Sequence, residues 1–329
     1  MPIGDPHVRC QIRERQEPGR RPAAGHHGPG ASLNINRKQL AALVALTLMW
    51  GVNWPLMKFS LRELSPLYFR AVTMTGGALM LYALYRARGT RLQLPRTTWL
   101  PVLWLALPNI FGWHLFSILG VQELASGRAA ILGFTMPIWT VLLAVLFFGE
   151  KLTRRVVISV ACASLAVALL VAHEITALAG RPLGIVWMQI AAVCWALGTV
   201  LMRRTTLDLP TETITVWMML ISSLGFWAVA ALLEPWPRWQ FSAPMWASLA
   251  WGAAINYGVA QVIWFGMARS LPPQASTFAI MAVPLVGTLS ATFIVGETPR
   301  TLDFVAAGFI MLAIASALLP QRAGAARAA

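Results

Sequence analysis

Runs of apolar residues, each roughly 20 long, recur down this chain, and a helix of that length crosses a hydrocarbon core of about 30 Å. They fall at approximately 40–57, 66–85, 98–119, 127–148, 155–172, 183–202, 213–233, 245–267, 275–296 and 302–320. No water reaches the middle of a bilayer, so a segment that enters it must satisfy its own amides and carbonyls, as a helix does. Charged residues make up 12% of the chain, against roughly 25% in a soluble globular domain. The expectation is an all-α integral membrane protein with ten transmembrane helices.

The gaps between runs hold turn-forming and basic residues, such as the Arg-Ala-Arg-Gly-Thr-Arg stretch at 86–91 and Glu234-Pro235-Trp236-Pro237. The net charge of +14 therefore lies beside lipid head groups and not on a soluble face, which argues against a nucleic-acid partner. Ten spans put both termini on one side. Arg70 aside, that side holds nineteen basic residues, among them Arg37, Lys38, Arg86, Arg88, Arg91, Arg96, Arg154, Arg155, Arg203 and Arg204. The other holds Lys58, Arg62, Arg128, Arg181, Arg238 and Arg300. Cytoplasmic loops are the richer in Lys and Arg, so both termini are expected in the cytoplasm of a cell whose inner (plasma) membrane holds the protein. Residues 1–36 have no apolar stretch fit for a signal-peptide core and are expected to be a disordered cytoplasmic tail, with 321–329 a second tail. Cys10, Cys162 and Cys194 are too scattered for a zinc site or a disulfide framework.

The fourth and ninth runs repeat one another. Pro137, Gly149 and Glu150 recur as Pro284, Gly296 and Glu297, an offset of 147 residues that also pairs Asn109 with Asn256 and His114 with Gln261. An offset of 145 pairs Trp50 with Trp195, Met57 with Met202 and Lys58 with Arg203. Matches in order at near-constant spacing indicate duplication, with repeats at 37–175 and 182–320. Five spans per repeat is an odd number, so the second must enter the bilayer from the opposite face. Inverted repeats of this kind suit alternating access around a midplane site.

The Trp50-Gly51-Val52-Asn53-Trp54-Pro55 stretch, the Pro66-to-Arg70 start of the second run and the Pro137-to-Glu150 segment with its echo at Pro284 to Glu297 resemble the EamA type of the drug/metabolite transporter superfamily. The resemblance covers about residues 40–320. It implies a bundle with a central cavity lined mainly by spans 1, 3, 4, 6, 8 and 9, and an exporter of amino acids, metabolites or toxic compounds.

Several side chains are costly in lipid and so are candidates for substrate contact. Arg70, one turn into its run, can reach the interface, pair with a lipid phosphate or face the cavity as an anion-binding group. His114 lies deeper and is either a proton relay or a neutral imidazole with one bond satisfied. Asn109, Asn256 and Gln261 must either stitch helices together or face a wet cavity. With Trp50, Asn53, Trp54, Trp113, Trp139, Trp195, Tyr257 and Trp264 they would make an aromatic cavity with a few polar handles. Trp99, Trp236, Trp239 and Trp246 fit an interfacial belt better. Pro137 and Pro284 each remove a backbone donor and are candidate hinges or static kinks. Gly149 and Gly296 suit helix C-caps, with Glu150, Thr153, Glu297 and Thr301 capping the next helices.

Neither the His-Glu-x-x-His, Gly-x-Ser-x-Gly nor phosphate-loop pattern occurs, which argues against an enzyme, a metal, a cofactor or ATP. The expected partners are a small-molecule substrate, the lipid bilayer and protons, with His114, Glu150 and Glu297 as candidate proton carriers. A scaffold or sensor that keeps the transporter fold is the alternative, with a membrane-embedded enzyme a more distant one.

Overall fold

The computed structural model describes residues 36–149, 153–176, 181–264 and 273–318, and the regular structure in them is helical. The expected tails, apart from Asn36, and Glu150 lie outside the described residues. In order, the helices are α1 (Arg37–Ser60), α2 (Pro66–Ala87), α3 (Arg96–Glu123), α4 (Ser126–Gly133 and, after a break, Met136–Phe148), α5 (Arg154–Thr176), α6 (Pro182–Arg204) and α7 (Thr211–Leu233). Next come α8 (Ala243–Ala250, then Trp251–Val259, described to residue 264), α9 (Pro273–Ile294) and α10 (Thr301–Leu318). Among the described residues α1 to α7 are long and apolar enough to cross a membrane, and α9 and α10 hold shorter apolar stretches, Met281–Ile294 and Thr301–Ser316.

Local chemistry sets the boundaries. Asn36 and Gln39 form a reciprocal capping box at the start of α1. Proline occupies the first turn of α2, α6 and α8, where its missing N–H costs nothing. Gly149 and Gly296 take φ of 70° and 75° and close α4 and α9 as predicted, in a conformation that a side chain would strain.

Side chains at one end of the bundle tie helix ends together. Lys58 Nζ donates to the carbonyls of Val121 and Gln122 at the end of α3, both at 2.8 Å. Glu234 accepts from the Leu67 and Tyr68 amides that open α2, and Glu63 accepts from the Ser242 amide that opens α8. Arg128 pairs with Asp303 at 2.7 Å and Arg181 with Glu123 at 2.8 Å, joining α4 to α10 and α6 to α3. Glu297 was expected to cap α10. Instead it crosses to α4, accepting from the Ser126 amide and hydroxyl at 2.9 Å each, while Asp303 closes the first turn of α10. The start of α4 lacks a cap of its own, so the distant carboxylate meets an unfilled need. Thr153 caps α5 as predicted.

The closest packings pair α1 with α9, α4 with α6, α2 with α7, α5 with α10, α3 with α6, and α2 with α8. Small residues make these approaches possible. A methyl added at Gly51 would lie 2.4 Å from Val286 on α9, one at Gly77 2.2 Å from Tyr257 on α8, and one at Gly198 2.5 Å from Asn109 on α3.

Candidate functional site

Two helices of the bundle widen into π-helical turns, Leu107–Gly112 in α3 and Trp251–Val259 in α8. A π-turn holds one residue more than an α-turn, so it rotates the side chains beyond it and frees backbone groups, often at functional sites. Pro108, without an N–H, sits in the first of them. Asn109 and Asn256 lie in the two widened segments at the offset read from the sequence. His114 and Ser117 follow the first, and Tyr257 lies in the second.

These side chains converge on Arg70. Its side chain neither reaches for the interface nor meets lipid, since the residue is 2% exposed. Nη1 donates to Tyr257 Oη at 3.0 Å and Nη2 to Ser117 Oγ at 3.1 Å, while Nε is buried with no partner. Tyr257 Oη also lies 3.1 Å from His114 Nδ1, and the two rings meet nearly edge to face at 5.2 Å. Ser117 Oγ donates in turn to the His114 carbonyl at 3.3 Å. One network thus joins α2, α3 and α8, and Gly77 lets Tyr257 come close enough to α2 to take part.

An aromatic wall continues from it. Trp113 lies edge-on to His114 at 6.4 Å, to Trp54 on α1 at 6.4 Å and to Trp195 on α6 at 5.3 Å. Trp54 also backs onto Gly133, the last residue before the break in α4. Asn53 is buried one position before Trp54. Trp50 and Trp264 pair with each other at 5.5 Å and pack on a second cluster around Leu43, Leu46 and Ala260, and Trp50 touches the main core as well. Asn109 is buried with its backbone against Gly198 of α6, and Asn256 and Gln261 are half-buried on α8. Among the described residues no hydrogen bond joins these three amides to the Arg70 network.

A second polar cluster spans the break in α4. Gln189 Oε1 on α6 accepts from Trp139 Nε1 at 3.0 Å and from Thr135 Oγ1 at 3.3 Å. Sequence reasoning singled out Trp139 but missed Gln189 and Ser117. A lone glutamine inside an apolar run was the available signal for the first. A serine gives little, because its hydroxyl can bond its own helix. The candidate hinges differ. At Pro137 the helix is interrupted, with Thr135 N and Oγ1 both turned back to the Leu132 carbonyl. At Pro284 α9 runs on without a break, and the proline carbonyl accepts from Thr288 Oγ1 at 2.9 Å. Of the tryptophans set aside for the interface, Trp99, Trp236 and Trp246 are exposed, and Trp236, Trp239 and Trp246 join an aromatic chain with Trp227 and Phe241 between α7 and α8.

Known proteins are similar to this chain. The chain is 27% identical to an uncharacterized transporter, YvbV, of Bacillus subtilis, over 90% of its own length and 96% of the relative's. It is 24% identical to the uncharacterized inner membrane transporter YedA of Escherichia coli, over 83% and 88%. It is 23% identical to a Salmonella typhimurium protein named a probable amino-acid metabolite efflux pump, over 84% and 93%. A solved crystal structure shares the fold at a TM-score of 0.58 and 21% identity, covering 85% of this chain and 98% of that one. The EamA-like transporter family matches twice in succession, at residues 37–172 and 182–319. With both halves of its apolar region matched and its helices suited to repeated membrane crossing, this chain belongs to the EamA-like transporter family.

Proposed function

We propose that the protein is a secondary transporter that exports a small metabolite across the inner membrane, its ten helices forming two inverted five-helix halves that open alternately to either face. The observation that carries this reading is the exchange symmetry of the packing. Replacing each helix by its counterpart five places along turns the α1–α9 contact into α6–α4 and the α3–α6 contact into α8–α1, and leaves α2–α7 and α5–α10 unchanged; all six contacts occur. The paired π-segments and paired left-handed glycines obey the same exchange.

In this reading the Arg70 network and the Trp54, Trp113 and Trp195 wall meet the substrate in a central cavity, with Trp50, Asn53, Asn109, Trp139, Asn256, Gln261 and Trp264 lining its approaches. Pro137 and Pro284 are the points where the halves flex. His114, bonded to Tyr257, relays the proton where transport is proton-coupled. The basic residues gathered at the end opposite Lys58 and Glu297 mark the cytoplasmic side. The efflux pump among its relatives makes amino-acid metabolites the first compounds to try.

The test is a matched pair of strains, one lacking and one overproducing the protein, compared for export of and tolerance to amino acids, their metabolites and toxic amphipathic compounds. Reciprocal changes for at least one compound are expected, followed by uptake into proteoliposomes of the purified protein. Identical behaviour of both strains across the panel, with inert proteoliposomes, would favour a scaffold or sensor instead.

A further inference from the structure

Arg70 brings a permanent positive charge into the bundle, and nothing among the described residues neutralises it. Its partners are the neutral hydroxyls of Tyr257 and Ser117. The carboxylates near that end are engaged elsewhere: Glu63 with Ser242, Glu123 with Arg181, Glu234 with the start of α2, Glu297 with the start of α4 and Asp303 with Arg128. A buried charge without a counter-charge is expensive and is kept where function uses it.

The neutral partners of the guanidinium and its unpaired Nε–H identify the missing group. Tyr257 Oη accepts from Arg70 and shares a second hydrogen bond with His114 Nδ1, donating or accepting according to the imidazole tautomer. Arg70 Nε–H is buried and unpartnered. The locus therefore offers a positive charge and an unpaired donor, and that charge repels a cation. Beside it stands the apolar face of Trp113, Trp54 and Trp195.

We infer that Arg70 is the anchor for a substrate carboxylate, and that the cargo is a monocarboxylate with an apolar or aromatic body lying on the tryptophan wall. The inference rests on the transporter reading for the word cargo, and on the geometry alone for the anion site. The hydroxyls of Tyr257 and Ser117 hold the guanidinium in the resting state. A carboxylate, bonded through two oxygens to the planar fork, binds it more strongly and displaces them. Because Tyr257 rides on α8 and Ser117 on α3, that exchange loosens both helices from α2.

The purified full-length protein in detergent can be probed by thermal stabilisation and tryptophan fluorescence with three compounds of one shape: phenylacetate, phenylacetamide and phenethylamine. Phenylacetate is expected to bind and the other two are not. Arg70→Gln should weaken phenylacetate binding at least about tenfold, with Arg70→Lys intermediate because a point charge cannot make the forked contact. Tyr257→Phe removes a competing hydroxyl while keeping the ring and the charge, and should tighten binding about threefold; this variant decides the matter if Arg70→Gln fails to fold. Equal binding of amide or amine, no phenylacetate binding by the wild type, or unchanged or weakened binding in Tyr257→Phe would overturn the assignment. Arg70-dependent binding in a protein that moves no compound would leave the anion site standing and remove the transport reading. Transport that ignores phenylacetate would do the reverse.

Discussion

The hydroxyl of Tyr257 stands between a fixed cation and an imidazole, so the behaviour of His114 depends on how that hydroxyl is shared. Replacing His114 by Ala should leave the protein inserted but flatten the pH profile of transport in proteoliposomes; a superimposable profile rules out the relay. Gln189 makes a different claim, because its one carbonyl oxygen serves both Trp139 and Thr135. Gln189→Leu strands the part-buried Trp139 indole N–H, whereas Thr135 Oγ1 keeps the Leu132 carbonyl, and should lower stability in detergent by about 1 kcal/mol, read from thermal unfolding. Arg70, His114 and Tyr257 were legible in the sequence because ionisable or phenolic groups stand out in an apolar run. Their mutual contact was not, since it depends on π-turns that no local pattern announced. Trp50 and Trp264 carry no such group, and Trp264 packs on the smaller cluster of Leu43, Leu46 and Ala260 while Trp50 touches both that cluster and the main core, because helix rotation decides which way a tryptophan faces.

Among the helices, α2 and α8 meet where Gly77 admits Tyr257. Gly77→Ala must push these helices apart, because the new methyl would lie 2.2 Å from the tyrosine Cβ. The expected cost is about 1–3 kcal/mol, with transport lost more completely than stability, as checked by uptake beside thermal unfolding. The start of α8 depends on Glu63, whose carboxyl is held below its ordinary value near 4.5 by the Ser242 hydroxyl and then by the Ser242 amide. A depressed carboxyl stabilises the folded form above the unfolded pKa and ceases to do so as pH falls through the lowered value. Hydrogen exchange at Ser242 to Met245 should therefore be steady, after correction for the intrinsic rate, from about pH 5 to 8, and should rise only in stronger acid. The two prolines looked equivalent in the sequence because spacing alone was visible. Only the structure shows that Thr135 and Gln189 support an interruption in α4, whereas Thr288 bonds back to an unbroken α9.

For the molecule as a whole, the sequence made the helical membrane plan readable through run length and charge placement, and the offset of 147 residues pointed to two related halves. What spacing could not reveal was how one end is fastened. Glu297 was expected to serve its own neighbour and instead reaches across to α4. Ser60 on α1 and Ser248 on α8 belong to the same fastened end, and their hydroxyls lie 2.7 Å apart. In a background free of the three native cysteines, the Ser60→Cys and Ser248→Cys pair should form a disulfide that stops transport under oxidation, with reductant restoring it. Undiminished transport by the fully oxidised pair would mean that this end does not open in the cycle.

The unpaired guanidinium also has an electrical side. Arg70 is built into α2 and stays with the protein, so a monocarboxylate that leaves it for the far face carries one net negative charge through the membrane. A cell interior negative by about 100 mV favours that exit by about 2.3 kcal/mol, equivalent to a concentration ratio of roughly fifty. Voltage alone could then expel an anionic metabolite, with neither a proton nor a nucleotide consumed.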